Sequence, residues 1–251
     1  MEHRGLLEIH DFVSQGSVQK ARNAIRTEMK KNIFEWYQYV APAILAPLSF
    51  YLWWTTYDKN IWLTLVAWLI PILYAYIVPG VGTNILKVWE FDTKFRLGRF
   101  RPQHGFVFGS ATATIAWLCH IGFTTDVWGI FKTGFILASV LGFWNLLYDV
   151  KALDSGILRV YNQPWADGKS SEAIAMDYAP WFFAGFGLVY GASIGFCERL
   201  ASLGALNGFN FAGIFPLVLF LAIAFPVWGY RCRSFKVHGH SGCQPVYREI
   251  P

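Results

Sequence analysis

Asn145, Tyr148 and Asp149 form the densest group of chemically able side chains at the edge of a long apolar stretch. Spaced three and four apart, they share one face of a helix. There a carboxylate, a phenol and a carboxamide could serve as base, acid and orienting group. A second group lies in the segment KVWEFDTKFRLGRFRPQHG, which supplies Arg96, Arg99, Arg101 and His104. Guanidinium forks match phosphate or carboxylate oxygens, and His104 can exchange a proton near neutral pH. The segment after Asp149 adds Asp177. These residues define a candidate catalytic set of His104, Asn145, Tyr148 and Asp149, and candidate substrate contacts at Arg96, Arg99, Arg101 and Asp177. The competing reading is plain: such cations touch lipid phosphates, and Asp and Asn cap helix ends.

A third group sits near the C-terminus, where CRSFKVHGHSGC places Cys232, His238, His240 and Cys243 within twelve positions. Four ligands of this type could close a tetrahedral zinc site of the structural kind. No C-x2-C element accompanies them, so reduced side chains in a solvated tail are the simpler expectation. Haem is a poor fit, because His104 and His120 would lie about 24 Å apart along a single helix. The Asp-rich signatures of prenyltransferases, the DGxxAR pattern of phosphatidyltransferases and the His boxes of desaturases are all absent. No nucleotide loop is present either.

The elements that must position these groups are apolar. Six segments, at 34–54, 60–80, 104–123, 127–148, 179–197 and 211–229, fill much of a 251-residue chain that is 55% hydrophobic and 15% charged. Each is long enough, as a helix, to cross roughly 30 Å of hydrocarbon. The expected fold is all-α, a polytopic bundle of six transmembrane helices. It divides into a cytoplasmic N-terminal segment at 1–33, the transmembrane domain at 34–230 and a C-terminal tail at 231–251.

Charge orients the bundle. Eighteen Lys and Arg residues fall before the first segment, after the last, or in the loops after the second and fourth, whereas the opposite loops hold only Lys59 and Arg199. The positive-inside rule then puts both termini in the cytoplasm. The net charge of +5 is explained by this partition, and nucleic acid is not expected as a partner. Val18, Ala21, Ile25, Met29 and Ile33 recur at helical spacing among basic residues, which predicts an amphipathic interfacial helix before the first span.

Within the spans, apart from Glu35 and His104 at their cytoplasmic ends, the charged or titrating groups of note are Lys132 and His120, both near outer ends and able to snorkel. Without a central carboxylate, ion-coupled transport is disfavoured. Gly105, Gly109 and Ala113 line one face of the third span, and Gly187, Gly191 and Gly195 one face of the fifth, so each should approach a neighbour closely. The functional expectation is an integral membrane protein that binds, and could modify, a lipid or isoprenoid-like amphiphile at the cytoplasmic helix ends. Membrane lipids and other membrane subunits are the expected partners. Two other classes fit the same features: a facilitator for a small neutral solute, and a structural subunit of a larger, pigment-binding membrane complex.

Overall fold

The computed structural model describes residue 29, residues 32–33 and residues 35–247. The amphipathic segment at 18–33 lies almost entirely outside the described residues. The fold is all-α apart from one short ribbon. Helix α1 covers 35–56, and α2 (Ile61–Gly80) continues into a π-helical turn, Val81–Ile85. Next come β1 (Trp89–Phe91), α3 (His104–Leu118), α4 (Val127–Asp154) and β2 (Leu158–Val160). A single turn, α5 (Gln163–Ala166), precedes α6 (Ser171–Ala179), which runs through a second π-helical turn, Pro180–Gly185, into α7 (Phe186–Ser202). The long α8 spans Gly208–His238.

Four rods are long and apolar enough to cross a membrane: Ile61–Ile85, Val127–Asp154, Ser171–Ser202 and Gly208–His238. This is the architecture of an integral membrane protein. Two of the six expected spans are not among these four. In α1 the tryptophans, tyrosines and prolines dilute the aliphatic content. Helix α3 has 15 residues and ends at Leu118 rather than 123, so it covers only about 22 Å. Beyond it the chain turns at Gly122, whose φ of 125° suits glycine alone.

Three of the rods start at the same end, each with a side-chain cap. Asn60 accepts from the N–H groups of Trp62 and Leu63, Asp126 from Gly129 and Asn207 from Asn210. Such caps satisfy donors that a helix start leaves free. At the opposite end α8 stops at Gly239, in the left-handed conformation at φ 76°. Residues 231–238, expected in a tail, are therefore the last turns of α8.

The small-residue faces act as expected, each against a different helix. A Cβ on Gly109 would fall 2.5 Å from the Ile72 Cα, and one on Gly191 would fall 2.5 Å from the Thr133 carbonyl oxygen. Helix α3 is thus seated on α2, and α7 on α4, backbone to backbone. Large side chains such as Phe135, Trp144, Phe220 and Trp228 point outward with 56–70% of their surface free. That face suits hydrocarbon, since soluble surfaces rarely carry such a patch.

The ribbon was not anticipated. β1 and β2 pair antiparallel, with Trp89 opposite Val160, Glu90 opposite Arg159 and Phe91 opposite Leu158. Leu158, Val160 and Phe91 are buried while Arg159 is exposed, the period of two that a half-buried strand requires. It ties the loop that carries Arg96, Arg99 and Arg101 to the segment that follows α4.

Candidate functional site

The last turns of α4 bring Tyr148 and Asp149 to the end of the bundle that the ribbon closes. The Tyr178 hydroxyl, from α6, donates to Asp149 Oδ2 at 2.6 Å, the short distance typical of a hydroxyl on a carboxylate. His104 opens α3. Arg101 Nε donates to His104 Nδ1 at 2.8 Å, and an arginine nitrogen can only donate. His104 is therefore held as the tautomer with its proton on Nε2. Arg101 Nη2 donates to the Tyr148 hydroxyl at 3.4 Å, and the guanidinium lies 4.8 Å above the Phe91 ring, a cation–π arrangement.

Arg101 is 1% exposed, and no carboxylate pairs with it among the described residues. Its Nη1 has no hydrogen-bond partner among the described residues, and the same holds for Asn145 Nδ2. Asn145 lies one turn before Tyr148 on the same face of α4. Arg101, which donates to the Tyr148 phenol, and Asn145, one turn earlier on α4, thus each keep a buried donor without an acceptor among the described residues. Each such group costs about 1–3 kcal/mol when left unmade.

Tyr148 and His104 also border a cavity of about 60 Å³, whose lining does not include Arg101 or Asn145: His104, Tyr148, Asp149 and Tyr178 form its polar side, and Tyr74, Trp89, Phe91, Phe108, Phe182 and Phe183 lie elsewhere. The π-helical turn that carries Phe182 and Phe183 shapes one wall. Pro180 at its start cannot donate a helical hydrogen bond. Farther along the turn, the Phe182 carbonyl accepts from the Tyr74 hydroxyl at 2.8 Å. Such turns frequently mark functional positions.

The other candidates are placed elsewhere. Arg96 faces solvent and reaches Glu90 at 3.4 Å. Arg99 donates to the Lys87 carbonyl at 3.1 Å and lies over the Tyr161 ring. Of the three arginines only Arg101 turns inward. Asp177 is 2% exposed and already occupied: Arg233 Nη1 donates to it, His238 Nε2 lies 2.8 Å away and Asn162 Nδ2 donates at 3.1 Å. It fastens α6 to the end of α8. The four zinc-type residues do not gather. His238 belongs to the Asp177 clamp, His240 Nδ1 accepts from the Gly242 N–H, and Cys232 is exposed on α8. Among the described residues no group of three or more His, Cys, Asp or Glu side chains is placed to hold a metal ion.

The opposite end of the bundle holds a cluster that the sequence reading missed. Glu198 lies inside α7 rather than in an outer loop, and it is fully buried. Its Oε1 accepts from the Tyr57 hydroxyl and lies 2.7 Å from His120 Nε2, while Oε2 accepts from the Thr124 N–H at 2.8 Å. Burial, and then the Glu198 carboxylate, push the Tyr57 phenol well above the usual tyrosine range, which keeps it a donor. His120 thus turns inward instead of snorkelling, and the bundle does contain a buried carboxylate. The signal was present in the sequence: Tyr190, Ile194 and Glu198 repeat every four residues, so Glu198 continues the buried stripe of α7.

No protein family matches the chain, and no curated protein or solved structure matches it.

Proposed function

We propose that this integral membrane protein crosses the bilayer six times with both termini cytoplasmic, and that it binds a lipid or isoprenoid-like amphiphile at the cytoplasmic ends of its helices. One observation carries the ligand assignment: buried donors on Arg101 and Asn145 lack acceptors among the described residues, and the His104 and Tyr148 side chains that Arg101 contacts line an aromatic cavity. An oxygen-rich polar group, such as a phosphate or carboxylate, supplies those acceptors, and its apolar continuation packs against Tyr74, Phe108 and Phe183. The eighteen-to-two partition of Lys and Arg supports the orientation. α1 and α3 complete the count of spans, α3 with the residues that follow it.

In any modification chemistry, His104 Nε2–H is the donor and Asp149 the acceptor. Arg101 serves as a positioning residue that sets the His104 tautomer. Tyr148 and Asn145 orient the polar group.

Mass spectrometry of amphiphiles that copurify with the protein tests the reading. Arg101→Gln should lower occupancy about tenfold, the equivalent of one charge-assisted hydrogen bond, while Arg96→Gln should leave it unchanged. Equal occupancy in the parent and in Arg101→Gln refutes the assignment.

A further inference from the structure

A second, larger cavity of about 260 Å³ lies between the ends of α2 and α8 and takes no part in the chemistry above. Its walls are largely aliphatic, with Ile77 and Val81 on one side and Ile223 and Val227 on the other. Ile77 and Val81 keep 40% and 38% of their surface exposed, so the α2 rim faces whatever surrounds the bundle. In a membrane protein that is hydrocarbon.

The rim at the Asp149 end is polar and carries cationic and donor groups. His240 Nδ1 accepts the Gly242 N–H at 3.1 Å, which leaves the ring proton on Nε2 in the neutral imidazole. That Nε2 is buried and has no partner among the described residues. Arg231, on the same rim, is exposed and forms no ion pair among the described residues. No carboxylate lines the cavity.

We infer that this cavity is a site for an anionic lipid from the adjoining leaflet. One hydrocarbon chain lies between α2 and α8, and the phosphate accepts from Arg231 and from His240 Nε2. The apolar walls select a chain, and the two donors, with Asp177 and Glu90 held behind the lining by Asn162 and Tyr161 and no carboxylate on the lining itself, select a negative head group. The site meets the cavity lined by His104 and Tyr148 only at a wall formed by Val78, Trp89 and Phe182, so its occupancy is independent of the function proposed above.

The test uses the full chain in detergent micelles, supplied with dioleoylphosphatidylglycerol or dioleoylphosphatidylcholine, with retained lipid counted by native mass spectrometry. The expected result is one phosphatidylglycerol retained per chain, about tenfold over phosphatidylcholine. Arg231→Gln should abolish that preference, Val227→Trp should exclude both lipids by filling the chain space, and Arg101→Gln should change neither. Equal retention of the two lipids by the parent, or unchanged preference in Arg231→Gln, overturns the inference. Arg231 is exposed, so that variant decides the matter even if Val227→Trp fails to fold.

Discussion

Replacing Glu198 tests the packing logic of the whole bundle, because one carboxylate joins three separate segments. Its oxygens serve the Tyr57 hydroxyl beyond α1, the ring of His120 and the backbone N–H of Thr124 between α3 and α4. Glu198→Ala leaves all three donors buried without an acceptor. At about 1–3 kcal/mol each, less the relief from no longer burying a charge, the net loss is about 3–5 kcal/mol, the range for breaking a buried polar pair. For a chain of this size about 1 kcal/mol corresponds to about 2–4 °C, so the melting temperature in detergent should fall by about 6–20 °C.

Glu198→Gln should behave differently. With the carboxamide oxygen on Thr124 and the NH2 donating to Tyr57 and His120, which can both accept, every bond is remade with one charge fewer. The cost should be about 1–2 kcal/mol, since charge-assisted bonds are roughly twice as strong as neutral ones. Thermal unfolding followed by intrinsic tryptophan fluorescence reads both variants. An alanine variant that melts within about 2 °C of the parent refutes the reasoning, as does a glutamine variant no better than alanine.

Gly191→Ala places a methyl 2.5 Å from the Thr133 carbonyl and should destabilise by about 1–3 kcal/mol; Gly213→Ala, with open space around it, should be near neutral, both read by thermal unfolding. Glu90→Cys with Arg159→Cys, in a background without the native cysteines, should form a disulfide on mild oxidation, since these residues are register partners and opposed strand residues fall within bonding range; failure to cross-link on a non-reducing gel counts against the ribbon. A membrane-impermeant maleimide should label exposed Cys232 only in inside-out vesicles and an introduced Asn207→Cys only in right-side-out ones; the reverse pattern inverts the proposed orientation.

Part of the candidate site is legible in the sequence. The spacing of Asn145, Tyr148 and Asp149 placed them on one helical face, and the end of the bundle that holds them also receives Arg101 and His104. Which arginine would turn inward was not legible. Arg96, Arg99 and Arg101 are equivalent in composition, and the choice depends on the ribbon: pairing Phe91 with Leu158 sets the ring over which the Arg101 guanidinium lies. The strands themselves, WEF and LRV, are too short for an alternation of period two to stand out from the surrounding apolar sequence.

By itself, the sequence determined the medium and the element type. Long apolar runs can satisfy their backbone groups in a bilayer only as helices, and glycines at four-residue spacing dictate close backbone contact. Tertiary structure decided everything that depends on which faces meet. It paired α3 with α2 and α7 with α4, stopped α3 at Leu118, occupied Asp177 with Arg233 and His238, dispersed the four zinc-type residues, and buried Glu198 against a histidine expected at the surface. The physical reason is common to all of these. Helix periodicity is a local property that composition records, whereas the partner of a buried polar group is a residue far along the chain, selected only when the helices pack.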